Sequence, residues 1–136
     1  MRKALTATIT ASTLLFAPAF SPSTALADEE VTPLLKQSLD GMDGMEANVV
    51  LFEVEPGFET ERHIHPGHLF IFVLEGAIKI DLEGEDEPIR IAAGKAAYEP
   101  ANTPMVGRNA SSTEGARFVV FQVGEAGEPL MVAQPE

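Results

Sequence analysis

The sequence predicts an all-β fold, a barrel or sandwich of about eight short strands forming one domain. Three observations carry this. From Asn48 to Val123, short runs of β-branched and aromatic residues alternate with turn residues. No helical period survives past Asp40. No repeat, linker or composition shift divides the 136 residues, a one-domain length.

The elements follow in order. Arg2 and Lys3 precede an uncharged, mostly apolar stretch from Ala4 to Phe20; Pro18, Pro22 and the small-x-small Ala25-Leu26-Ala27 follow. Charged, apolar and small segments in that order describe a secretory signal peptide over residues 1–27. The alternative, a membrane anchor, fits poorly: the run is short, rich in Ser and Thr, and ended by prolines, where a spanning helix takes roughly 20 apolar residues. No cysteine exists to carry a lipid or a disulfide. The expected product is an exported, periplasmic or secreted chain from Asp28 to Glu136, with no membrane association after cleavage.

Residues 28–47 read as an N-terminal arm, either a short helix begun at Pro33 with Leu34, Leu35 and Leu39 on one face or an extended segment crossing the barrel. Gly41 and Gly44 mark a turn. The barrel is expected over 48–124. Strands are read at Asn48–Val54, from Thr60 to the Pro66-Gly67 break, at Leu69–Leu74 and Ala77–Leu82, then at Ile89–Ile91, Ala96–Tyr98, Met105–Asn109 and Arg117–Val123. The acidic run before Pro88 is a solvated hairpin tip. Residues 125–136, rich in Gly, Pro and Glu, read as a loose tail.

Charge excludes some functions. Of the 9 basic side chains, Arg2 and Lys3 belong to the leader, which leaves 7 against 21 acidic ones, a formal charge of −14. Such a surface lacks the basic footprint that nucleic acid or anionic lipid requires. No serine lies in a nucleophile setting and no glycine-rich phosphate loop is present.

All three histidines fall within six residues, His63-Ile-His65-Pro-Gly-His68. Two at i and i+2 on a strand share a face, and an imidazole pair is a fragment of a transition-metal site. Alone the pattern is weak, since two histidines can equally sit on an exposed strand end.

The surroundings are more specific. Gly57, five residues, His63-Ile-His65, three residues, Leu69, six residues, Gly76 resembles the first motif of the cupin superfamily. Gly94, five residues, Pro100-Ala-Asn102, then Met105 and Asn109 is similar to the second. The resemblance spans about Val31 to Val123 and implies a single cupin barrel, a double-stranded β-helix or jelly roll of two antiparallel sheets. Metal-binding cupins usually supply three His and one Glu. His63 and His65 match the first two positions, but Leu69 stands at the Glu position, Met105 at the third His and Asn102 at the Gly of Pro-x-Gly.

Three site readings stay open. His68 could serve as a third ligand, although strand parity turns it outward if Leu69 faces in, unless the Pro66-Gly67 turn breaks that parity. Met105 could complete a His-His-Met site, whose soft thioether favours copper, or simply fill core. Finally, with no tight metal, the barrel could hold an apolar small molecule anchored by the histidines. Arg62 and Arg108 could reach a ligand carboxylate at the barrel mouth, or be structural. Tyr98 and Glu99 are candidates for proton transfer. Asn109 is read as bonding backbone across a turn. The expected function is binding of a single divalent metal or copper ion, or of a small molecule, without catalysis, because Leu69 removes the carboxylate of an oxygen-activating iron site. The alternative is a metal-dependent oxygenase or isomerase of a small acid.

If Leu69 points inward, Phe70, Phe72 and Leu74 form an outward apolar stripe that needs cover. A homodimer formed through that stripe or through a swapped arm is the expected state, and light scattering at micromolar concentration should report twice the monomer mass; a monomer there refutes it.

Overall fold

The computed structural model describes residues 28–134, and the expected signal segment 1–27 lies outside the described residues. Ten strands and no helix make up the described chain: β1 (Glu29–Ser38), β2 (Met45–Val54), β3 (His63–Ile64), β4 (His68–Glu75), β5 (Ala77–Leu82), β6 (Ile89–Ala92), β7 (Ala96–Glu99), β8 (Met105–Asn109), β9 (Ala116–Glu125) and β10 (Val132–Ala133). They form two five-stranded sheets, ordered β1-β2-β9-β4-β7 and β10-β3-β8-β5-β6, with every pairing antiparallel. This is the jelly-roll barrel that the two motifs imply.

β4 shows why the sequence folds so. Its residues alternate strictly, with Leu69, Ile71 and Val73 buried and His68, Phe70, Phe72 and Leu74 exposed, the period-2 signature of a strand with one face on the core. Val50, Phe52 and Val54 of β2, Ile78 and Ile80 of β5, and Val120 of β9 meet them inside. The outward apolar stripe expected at Phe70, Phe72 and Leu74 is present, and Tyr98 and Phe121 extend it.

Two expectations are corrected. The arm at 28–47 is extended rather than helical, but it lies along a sheet edge instead of crossing the barrel: it is β1, running antiparallel along β2 from Glu29↔Val54 to Ser38↔Glu46, and β2 itself begins at Met45. The leucine spacing misled because it marks no buried face, Leu34 and Leu35 both being about half exposed; Pro33 is tolerated because β1 is an edge strand. Nor is the tail at 125–136 loose throughout. β10 pairs with β3, and the Gln134 N–H donates to the Arg62 carbonyl at 2.9 Å. Its apolar Leu130-Met131-Val132 core was legible, but its Gly and Pro content masked it.

Two backbone positions place the site. Gly67 lies so close to β9 that a Cβ there would come within 2.6 Å of the Val123 carbonyl oxygen, so only glycine lets the chain turn from His65 into β4. Asn102, where the motif has Gly, adopts φ 57°, a left-handed conformation that Asn reaches more readily than other side chains. Its backbone N–H donates to the His65 carbonyl at 2.8 Å, which ties the loop after β7 to the histidine segment.

Asn109 bonds across a turn as read from the sequence. Its Nδ2 donates to the carbonyls of Glu55 (3.0 Å) and Glu114 (2.8 Å), and its Oδ1 accepts from the Ser111 N–H (2.9 Å). Replacing this buried side chain by Ala removes all three bonds, so Asn109→Ala should lower unfolding free energy by about 2 kcal/mol, seen as a lower urea midpoint at unchanged slope. A loss within ~0.5 kcal/mol, ordinary for a surface change, would show that the turn holds itself.

Candidate functional site

His63 lies in β3 and His65 just beyond it, and the strand's alternation turns both inward. They are 4% and 8% exposed, and their Nε2 atoms stand 3.3 Å apart with the rings nearly perpendicular.

Backbone carbonyls determine which nitrogens carry protons. His63 Nδ1 is 2.9 Å from the Glu61 carbonyl oxygen, and His65 Nδ1 is 2.6 Å from that of Leu130. A carbonyl only accepts, so each Nδ1 must be the donor. Thr60 Oγ1, itself accepting from the Gly107 N–H, adds a second contact to His63 Nδ1 at 3.2 Å. In the neutral rings both Nε2 atoms are therefore bare, with their lone pairs facing each other across 3.3 Å. Two lone pairs at that distance call for a proton or a cation between them. Donation of the other ring N–H to a backbone carbonyl is also the arrangement that orients metal-binding histidines.

Two further side chains reach this point. Met105, 2% exposed, is the register partner of His63 on β8. Glu99, 4% exposed, ends β7 and is the register partner of Leu69. Its Oε2 lies 3.4 Å from His65 Nε2. The carboxylate missing at position 69 is thus supplied from the adjacent strand, on the same inward face. Sequence reasoning noticed Glu99 only as a proton-transfer candidate; the readable signal was parity, since an outward Tyr98 requires an inward Glu99. Among the described residues, no three His, Cys, Asp or Glu groups are already gathered as a complete metal site, so the imidazole pair is the preformed part.

The remaining candidates are placed differently. His68 faces outward, exposed, with its Nδ1 2.7 Å from the Tyr98 hydroxyl and the two rings stacked. The Pro66-Gly67 turn does not invert the parity, and His68 is corrected from possible third ligand to surface residue. Arg62 pairs with Glu83; Arg108 pairs with Asp81 and Glu59 while lining the cavity, and its Nε is buried without a partner among the described residues.

The four inward side chains line a cavity of about 60 Å³ whose other walls include Phe52, Ile71, Ile80, Val120 and Leu130. Dryness sets the protonation. Burial pushes the His65 pKa down to about 4, against the opposing bond to Leu130, and the neighbouring His63 lowers it further. Burial alone pushes Glu99 up to about 7. Near pH 6 the carboxyl is protonated and the imidazole neutral, so the pair avoids charge.

The sequence profile of the cupin domain matches residues 50–122. No curated protein matches the chain by sequence. Among solved structures, the chain is similar to a cupin-like protein (tm1010) from Thermotoga maritima, with 18% identity over 89% of this chain and 88% of that one and a TM-score of 0.63. It is similar to the DMSP lyase DddQ from Ruegeria pomeroyi at 22% identity, covering 78% of this chain and 51% of that one, TM-score 0.60; the chain spans about half the length of that lyase. It is also similar to the polyketide cyclase RemF from Streptomyces resistomycificus, at 25% identity over 81% of this chain and 75% of that one, TM-score 0.59.

The two shifts have opposite consequences for stability. His65 binds fewer protons folded than unfolded between pH 4 and 6.5, so its contribution rises with pH there; Glu99 binds more between 4.5 and 7, so its contribution falls. Between 4.5 and 6.5 the pair holds one proton in either state and the slopes cancel. In the presence of a chelator, urea midpoints for Glu99→Gln should therefore climb with pH across that window relative to the native chain. Parallel profiles would contradict the burial-shifted carboxyl.

Proposed function

This chain belongs to the cupin family, and on that premise we propose that its barrel binds one transition-metal ion between His63 and His65, with Glu99 as carboxylate donor and Met105 beside them. The observation that carries the reading is the pair of bare Nε2 atoms 3.3 Å apart, each ring locked by a backbone carbonyl behind it. Donor atoms spaced by 3.3 and 3.4 Å match neighbouring corners of a tetrahedron with metal–donor bonds of about 2.0–2.1 Å. The donor set fits such an ion: two imidazoles and a carboxylate suit iron, zinc or manganese, and a thioether beside them favours copper.

Cavity size weighs against the apolar-ligand alternative. A benzene-sized guest occupies a cavity of about 150 Å³, and this one measures about 60 Å³. Whatever joins the ion must be small, water or a ligand of a few atoms.

Each residue has a definite part in this proposal. The Glu61 and Leu130 carbonyls keep both Nε2 lone pairs aimed inward. Phe52, Ile71, Ile80 and Val120 exclude water and lower the local dielectric. Glu99 carries a proton at its carboxyl below about pH 7 and gives it up when a cation takes the site. When bound, the ion would supply Lewis acidity. The presence of Glu99 restores the two-histidine, one-carboxylate set that the enzymatic alternative lacked at Leu69, so turnover of a small ligand is the second reading.

Elemental analysis of protein from its native compartment should find one equivalent of a late first-row metal. In titration of the metal-free chain, His63→Ala and His65→Ala should each weaken Co(II) or Zn(II) binding by about 100-fold or more, and Glu99→Gln by about 10–100-fold, the size expected for loss of a supporting donor. Met105→Leu should lower Cu(I) affinity while sparing Zn(II) if the thioether is a ligand. Stoichiometric metal binding that survives His65→Ala would overturn the site.

A further inference from the structure

We propose that the acidic groove opening onto His63 is the loading route for the cation, and that its carboxylates set the rate of capture rather than the strength of hold. This rests on the metal reading above. The groove is lined by Asp28, Glu29, Glu59, Glu61, His63 and Met131, with Phe58, Thr60 and Ala133 completing it and no lysine or arginine among them. It shares Glu29, Phe58, Thr60, His63 and Met131 with the barrel cavity, so the two adjoin at the buried histidine. A neighbouring groove shares Asp28 and Glu29 and adds Glu30, Glu53, Glu55 and Glu75 against one arginine, Arg117. Carboxylates thus line both grooves, with one arginine among them.

An acidic surface alone would signify solubility. What gives this one a direction is His63, 4% exposed, which lines the groove while presenting a bare Nε2 inside. The carboxylates are not themselves donors to that centre: Asp28, Glu29, Glu59 and Glu61 are exposed. Glu59 lies 3.6 Å from Arg108, and among the described residues Asp28, Glu29 and Glu61 have no cationic partner. Uncompensated charge beside a low-dielectric wall focuses field at the opening and raises the local cation concentration. Exposed charges at a rim change chiefly the association rate. The field acts on arrival, and the imidazoles determine departure.

The test is stopped-flow capture of Co(II) by the metal-free full chain, comparing native protein with the triple variant Asp28→Asn, Glu29→Gln, Glu61→Gln. The Glu61 backbone carbonyl that orients His63 is retained in the variant. At low ionic strength the variant's association rate constant should fall about 10-fold or more, with dissociation unchanged, and the difference should vanish near 0.5 M salt, where the screening length is only a few ångströms. Equal association rates at low salt would overturn the loading route and leave the metal site standing. A change confined to dissociation would make the carboxylates ligands and also overturn it. Absence of Co(II) uptake by the native chain would overturn the route and the site together.

Discussion

The hydrogen bond from His65 Nδ1 to the Leu130 carbonyl, 2.6 Å long, joins parts of the molecule that the chain keeps 65 residues apart. It sets the tautomer of His65 and so leaves Nε2 bare. It also stops the ring from rotating, which keeps that nitrogen 3.3 Å from its counterpart on His63. The same bond draws the C-terminal segment over the barrel, where Leu130 becomes part of the cavity wall and β10 can pair with β3. Wall, tautomer and ring orientation are therefore one construction. A buried imidazole without such a partner would have two polar atoms to satisfy and no reason to prefer one orientation.

Strand parity is the second constraint. Position 69 faces the core, and a leucine there removes a charge from the driest face of the barrel. The carboxylate at Glu99 arrives through the antiparallel register, because Leu69 and Glu99 are opposite one another and share a face. Facing Cβ atoms in such pairs lie about 5 Å apart, so the acid is displaced by one strand rather than lost. The displacement has a cost. Glu99 sits against apolar walls beside an imidazole instead of in a ready-made charged cluster, and burial alone raises its pKa. The pair is consequently uncharged near pH 6, its one proton held by Glu99.

Inside and outside follow opposite electrostatic rules. Within the barrel, low dielectric makes an isolated charge expensive, and Glu99 and His65 both shift toward their uncharged forms. Outside, water screens repulsion well enough for Asp28, Glu29, Glu53, Glu55, Glu59 and Glu61 to gather near one opening. Concentrated acid over a neutral, lone-pair-bearing interior is an arrangement suited to a cationic cargo and unsuited to an anionic one. The two mouth arginines do not alter this, because Arg62 and Arg108 are already paired with acids.

The sequence by itself determined the all-β class, the strands from β2 to β9 to within a few residues, the inward facing of Leu69, Ile71 and Val73, and the pairing of His63 with His65. These follow from period-2 alternation and from glycine and proline placement, which are local properties of a chain. It also foretold the backbone-bonding role of Asn109. Tertiary structure alone decided the rest. It put Glu99 beside His65, because register between β4 and β7 is not a local property. It brought the Leu130 carbonyl to His65, because a tail full of Gly and Pro carries no periodic signal. It turned the arm into β1, since Leu34 and Leu35 stay about half exposed and mark no true amphipathic face. And it set His68 against the Tyr98 ring, although its outward facing, opposite to Leu69, was legible in strand parity: successive residues on a strand are neighbours along the chain and opposites in space.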